Sequence, residues 1–264
     1  MNELSTLVRA TLGLYVDAAK QASSALFRHI WIIGLVPAYS LALDLIATLA
    51  GGIGFAGGFV VFLAIAACAS SFLALIAEAV AHQRVRFAAL GQTFGRYFSR
   101  VITVFFLFWI VRLLLQMTVA QNPNLLWLLI AVNTGIFVVF NPIPELIYQG
   151  SDDGMALLQD AAQFTRDNLL EWLIPVAIML TPFFLIDAQL GFLVMARIDV
   201  QNGLDLVIGA LATWLSPASV AMNLVATALA SLLIVWIMLF RGFLFRSLYG
   251  SGRRQRLFAS RARG

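Results

Sequence analysis

Arg112 lies at the centre of VFFLFWIVRLLLQM, residues 104–117, a run otherwise apolar enough to sit inside a bilayer. A guanidinium stays charged at any physiological pH, and at the middle of a membrane helix it costs about 2.5–3.5 kcal/mol on insertion scales. Such a group faces the bundle interior with a partner. At 1.5 Å of rise per residue, Arg112 falls roughly 12 Å below the outer end of its block. Asn133 and Asp187 fall at about 12 Å in theirs, and Asp44 and Asn223 at about 9 Å. Gln116 sits one turn above Arg112 on the same helix face. Asp187 is the expected partner by depth, with Asp44 as a second contact, since one guanidinium fork serves two carboxylates. Two chemistries fit this intramembrane polar layer. One is an interhelical clamp, and the other is a hydrated cavity open to the periplasm that meets a polar solute or a headgroup.

A second group gathers at the opposite ends of the blocks: Glu78, Asn141, Glu145 and Arg241. Within NPIPE, residues 141–145, two prolines remove backbone donors and break the last turns of a helix. The carbonyls so freed are tolerated in a membrane only where protein or water answers them. The expected role is capping of charges that reach water, and the alternative is a hinge or ion site. Enzymatic signatures are missing: there is no HExxH, GxGD aspartate pair, P-loop or GxSxG. His29 and His82 each lie near arginine at an expected interface, which predicts solvated or lipid-facing side chains. No His, Cys or carboxylate cluster has metal-ligand spacing. The single cysteine, Cys68, is read as a buried small side chain. The chain is therefore expected to be non-enzymatic, with no cofactor and no metal.

The elements that must hold these residues follow from composition. Of 264 residues, 61% are hydrophobic and 11% charged, less than half the charge of an average soluble domain. Six blocks, 30–50, 55–77, 101–120, 125–148, 172–195 and 217–240, are long enough to cross a hydrocarbon core. The fold class is an all-α polytopic membrane protein with six transmembrane helices. Of 17 Lys and Arg residues, fifteen fall on one side of these blocks, one on the other, and Arg112 within. Positive charge stays on the cytoplasmic side, which predicts both termini in the cytoplasm. The same placement removes nucleic acid as a partner despite the net charge of +4.

The outer turns are short: GGIG at 51–54 and QNPN at 121–124. The inner connections are longer and carry helical amphipathic spacing. In the first, Leu4, Leu7, Val8, Thr11, Tyr15, Ala18 and Ala22 form an apolar stripe opposite Asp17, Lys20, Gln21, Ser24 and Arg28. In the second, Phe87, Leu90, Phe94, Tyr97 and Val101 oppose Gln92, Arg96 and Arg100. The third is expected to start at Ser151 as N-cap, with Asp152 and Asp153 in its first turn and Met155, Leu158, Ala162 and Leu169 as its stripe. Such helices lie in the headgroup plane. Arg28, Arg96, Arg100, Arg166, Arg253, Arg254 and Arg256 are then candidates for anionic lipid headgroups, the expected partner besides other membrane subunits or a second copy.

The organisation is one membrane domain, 1–240. It comprises an N-terminal helix (1–29), hairpin 1 (30–77), an interfacial helix (78–100), hairpin 2 (101–148), an interfacial helix (149–171) and hairpin 3 (172–240). Residues 204–215 in hairpin 3 are too short to span and lie on the outer surface or re-enter. A basic cytoplasmic tail, 241–264, follows. FRHIWIIGLVP at 27–37 echoes FTRDNLLEWLIP at 164–175, with a proline nine residues after arginine in both, and FGRYFSR at 94–100 stands in the middle copy. This suggests a threefold repeat of amphipathic helix plus hairpin. Gly54, Gly58, Ala67, Ser70, Ser71 and Ala74 give the second block the small face of a central helix.

ALFRHIW, AVAHQRVRFAALGQTFGRYF, SDDGMALLQDAAQFTRDNLLEWLIPV and LLIVWIMLFRGFLFRSLY together resemble the YciC-type family of bacterial inner-membrane proteins. They also resemble the membrane domain fused to some glycerophosphodiester phosphodiesterases. The resemblance implies a six-span inner-membrane protein and supplies no catalytic residues. The functional expectation is a scaffold or accessory subunit of a membrane assembly gripping anionic lipid. The alternative is a transporter or channel for a small polar solute or lipid.

Overall fold

A computed structural model describes residues 3–81, 87, 90–186 and 220–249, and among these every regular element is helical. In chain order they are α1 (Glu3–Arg28), α2 (Ile32–Ala50), α3 (Phe55–Val80), α4 (Leu90–Arg96), α5 (Phe98–Gln121), α6 (Leu126–Phe140), α7 (Ile143–Gln149), α8 (Gly154–Ile186) and α9 (Val220–Leu248). Among the described residues, four stretches are long and apolar enough to cross a membrane: Ile32–Ile53, Ala56–Val80, Phe98–Val119 and Thr227–Leu248. The fourth expected block is cut at Asn141–Pro142 into α6 and α7. The fifth is described only to Ile186.

Tight turns close the α2–α3 and α5–α6 hairpins at one end of the bundle, the turn end. The first turn depends on glycine twice. Gly54 has φ 57°, which costs other residues strain. A Cβ on Gly57 would fall within 1.9 Å of the Ala50 carbonyl oxygen. The connection end carries α1, α4, α7 and the first half of α8. There α3 is central, packing against α2, α4, α5, α7 and α9. Ala66, Cys68, Ala69, Phe72, Leu73 and Ile76 of α3 are all buried.

The amphipathic helices place part of their apolar faces on protein, while Phe87, Met155 and Leu169 of the expected stripes stay exposed. α1 runs along α9 with Ala18, Ala22, Ala25 and Leu26 buried, while Asp17, Lys20, Gln21, Ser24 and Arg28 are exposed as the stripe required. Small side chains let the two backbones approach, and the Trp236 indole N–H donates to Ser23 Oγ at 3.1 Å. The Tyr15 hydroxyl donates to the Glu171 carbonyl at 2.9 Å, and burial, reinforced by the Glu171 charge, pushes its pKa up to about 12. α4 is only seven residues long, and Phe94 on it packs edge-on against Tyr39 of α2, ring centroids 6.0 Å apart. α8 begins at Gly154, so Ser151 is no N-cap and Asp152 and Asp153 precede the helix. Its buried face is Leu157, Ala161, Phe164, Thr165 and Asn168, rotated from the expected stripe and leaving Met155 and Leu169 exposed.

Each described passage from connection to long helix is interrupted just after an arginine. His29–Trp31 form a turn after Arg28. Tyr97 leaves the helical region (φ −118°, ψ 9°) after Arg96. Asn168 does so (φ −129°, ψ 25°) two residues after Arg166. At the last of these, the Asn168 side-chain amide takes the Phe164 carbonyl at 3.1 Å, inserting into the helix ladder as kinks require.

Candidate functional site

The NPIPE break builds the most closely knit polar site among the described residues. With the helix interrupted at Asn141–Pro142, two nearby carbonyls are answered from other helices. Val139 O accepts the Thr165 hydroxyl at 2.8 Å, and Asn141 O accepts the Arg241 guanidinium at 2.6 Å. The same Arg241 grips Glu145 with both arms, Nε to Oε1 at 2.8 Å and Nη2 to Oε2 at 2.9 Å. It also lies over the Trp172 ring, 5.1 Å from the centroid. The Trp172 indole N–H in turn donates to Asn141 Oδ1 at 3.0 Å. A planar fork on a planar carboxylate is the arrangement Arg provides and Lys cannot. The Glu145 side chain is 0% exposed and that of Arg241 5%. These charges do not reach water, so the expected water-facing caps are instead an internal ion pair. Arg241 also belongs to α9 rather than to a tail, since Arg241–Leu248 is helical and mostly buried.

Two further arginines close the connection end. Arg100 donates to Ile147 O at 2.9 Å, Gly150 O at 3.0 Å and Ser151 O at 3.1 Å, and pairs with Asp153. It caps the C-terminal carbonyls of α7, which corrects its assignment to lipid headgroups. Arg246 caps α3 through Val80 O at 3.2 Å. Glu78 stays out of the central cluster and pairs with Arg96 at 3.0 Å near the surface. Arg28 and Arg166 are exposed, as headgroup contacts must be, while Arg253, Arg254 and Arg256 lie outside the described residues.

No family model, curated protein or solved structure matches this chain. Its chemistry therefore rests on its own geometry.

A second polar assembly gave no signal beyond small-residue spacing in α3. Thr93 spends its one hydroxyl proton on Leu90 O at 2.6 Å, so Ser71 donates to Thr93, and Tyr39 donates to Ser71 at 2.7 Å. The Tyr97 backbone N–H reaches Ser70 Oγ at 3.0 Å. These hydroxyls fasten α4 to α2 and α3. His29, expected in solvent or lipid, is buried at 4% exposure. Burial first, then the Arg28 charge, lowers its pKa below the ordinary 6.5. His82 lies outside the described residues.

The polar layer of the outer halves is described only in part. Arg112 and Asn133 are half-buried, and Asp44 and Gln116 are exposed. Asp187, the expected partner of Arg112, lies outside the described residues, as do 204–215 and the side chain of Asn223.

Proposed function

We propose that this chain is a non-enzymatic, six-span scaffold or accessory subunit of a bacterial inner-membrane assembly, with its connection end and both termini in the cytoplasm. One observation carries the reading. A helix broken inside a membrane protein is where carriers keep polar sites for cargo, and here the break is filled by the protein's own Glu145, Arg241, Trp172 and Thr165. The distribution of Lys and Arg supports the orientation. Exposed Arg28 and Arg166 support contact with anionic lipid. The three interruptions after Arg28, Arg96 and Arg166 support a triplicated helix-plus-hairpin unit, in keeping with the likeness to YciC-type proteins.

A carrier for a polar solute or lipid is the second reading. It draws on Asn133, whose Oδ1 is buried with no partner among the described residues, on the helix that continues into the break. Reconstitution in sealed vesicles separates the two. A scaffold holds an imposed proton or sodium gradient as long as empty vesicles do. A leak that Arg112→Met abolishes would make the chain a carrier.

A further inference from the structure

α1 has three faces where its spacing announces two. At about 100° per residue, the buried Ala18, Ala22, Ala25 and Leu26 occupy one arc, the side turned to α9. Away from it, Leu12, Val16 and Phe27 fall within about 60° of one another. They are 54%, 50% and 76% exposed. Arg9 and Lys20 lie in the same strip and are exposed too. Asp17, Gln21, Ser24 and Arg28 form a third arc beside it, polar and exposed. Ser23, at the edge of the strip, holds the indole of the half-buried Trp236, a side chain that favours the headgroup level. The helix therefore carries a second apolar strip, separate from the one packed on protein and interleaved with cations.

The cations choose the occupant of this strip. Lysine is depleted from the cores of protein–protein interfaces, and a second copy docked strip to strip would set cation against cation. A long cationic side chain among apolar ones suits a membrane surface, where its stem lies on acyl chains and its charge rises to the headgroups. The neighbouring span is open in the same way: Gly34, Ala38, Leu41 and Leu45, at spacings of three and four on α2, are all exposed. Phe27 and Ile30, on the two sides of the turn that joins the helices, are exposed as well. We propose that the Leu12, Val16 and Phe27 strip of α1 lies on the leaflet at the connection end. Arg9 and Lys20 then meet anionic phospholipid headgroups, and the ridge of Asp17, Gln21 and Ser24 faces water. Ala18 and Ala22 of the stripe expected to face lipid serve α9 instead, and lipid contact falls to residues outside that stripe. The inference rests on the membrane-embedded reading above.

The test is site-directed spin labelling of the full chain in lipid nanodiscs, on a Cys68→Ala background that removes the single native thiol. Oxygen serves as the membrane-borne relaxant and a nickel chelate as the water-borne one. Labels at Leu12→Cys and Val16→Cys are expected to favour oxygen, and those at Asp17→Cys and Gln21→Cys the chelate. Adding phosphatidylglycerol to phosphatidylcholine discs should raise the oxygen preference at Leu12, and Arg9→Gln with Lys20→Gln should cancel that rise. Labels at Leu12 and Val16 as open to the chelate as the one at Asp17 overturn the proposal. Shielding from both reagents, the mark of a protein cover, does so too. So does an oxygen preference that ignores phosphatidylglycerol, or a rise that survives the double substitution. Leu45→Cys on α2 keeps the two readings apart. Oxygen preference there without it at Leu12 sinks the strip alone, and its loss at both positions sinks the membrane embedding.

Discussion

The two ends of α2, α3, α5 and α6 are similarly apolar and packed very differently. From Leu41 to Leu49 of α2, and from Trp109 to Val119 of α5, no residue is buried, although each run turns through every helix face. In α3, Gly57 is buried, and Ala56 and the stretch from Gly58 to Ile65 are not. At the connection end the same helices bury Val36, Tyr39, Phe72, Ile76, Val104, Phe105 and Phe108. The difference lies in what the chain adds between long helices. Turns of a few residues bring no extra surface, whereas α1, α4, α7 and the first half of α8 each supply a face to pack. Polar groups follow the packing. Among the described residues, charges are internal and specific where such faces are supplied, and Asp44 and Gln116 at the turn end are exposed.

If that contrast is right, the largest effect comes from splitting the buried pair. Glu145→Ala leaves the Arg241 guanidinium buried and uncompensated, which costs about 3–5 kcal/mol. The expected outcome is loss of monodisperse protein on size exclusion in detergent. The double variant Glu145→Leu with Arg241→Met removes both charges and recovers most of the yield. Failure of that recovery would mean that Asn141 and Trp172 need the guanidinium for more than charge balance. Gly242→Ala comes next. Its methyl would meet the Tyr148 hydroxyl at 2.6 Å and Val80 Cγ2 at 2.7 Å, and overpacking of this kind costs about 1–3 kcal/mol. A Tm equal to wild type would show that α7 and α9 are looser than their contacts indicate.

Much of this was legible in the sequence, and the illegible part has a physical reason. Pro142 and Pro144 announced the break, and Ala18 and Ala22 of the expected α1 stripe marked part of its buried face, to which Ala25 and Leu26 add. Partner choice is not written in spacing. Glu78 and Glu145 look alike in sequence, yet one pairs near the surface with Arg96 and the other is sealed against Arg241. Arg100 reads as an interfacial cation and turns inward because α7 ends beside it with bare carbonyls. Ser71 signals only close helix approach and Thr93 gives no signal, since a hydroxyl bond needs only two helices in contact. The stripe of α8 was misplaced because Met155 and Leu169 are as apolar as the residues that are buried.

Smaller effects sharpen the contrast from the connection side. Arg100→Lys keeps the charge but cannot reach three carbonyls and Asp153 at once, so Tm falls by about 2–4 °C. His29 supplies the pH dependence. Its pKa is lowered in the folded chain, so folding favours the neutral ring. That contribution is complete above 6.5 and is lost as pH falls from there toward the folded value. His29→Leu should flatten the Tm profile in that window, and an unchanged slope would place the sensitivity elsewhere.

The smallest effect belongs to the turn end. Asp44 is exposed, and its backbone carbonyl already takes the Thr48 hydroxyl at 2.9 Å on the same helix. Asp44→Asn and Gln116→Leu, made separately, should each shift stability by less than about 0.5 kcal/mol, the usual range for surface positions. The measurement is Tm in a neutral detergent beside the Glu145 and Gly242 variants. A loss above about 1 kcal/mol from Asp44→Asn would mean that this carboxylate is engaged, as a contact to Arg112 requires. The polar layer would then be a clamp, and the turn end would be held by charge where it is not held by packing.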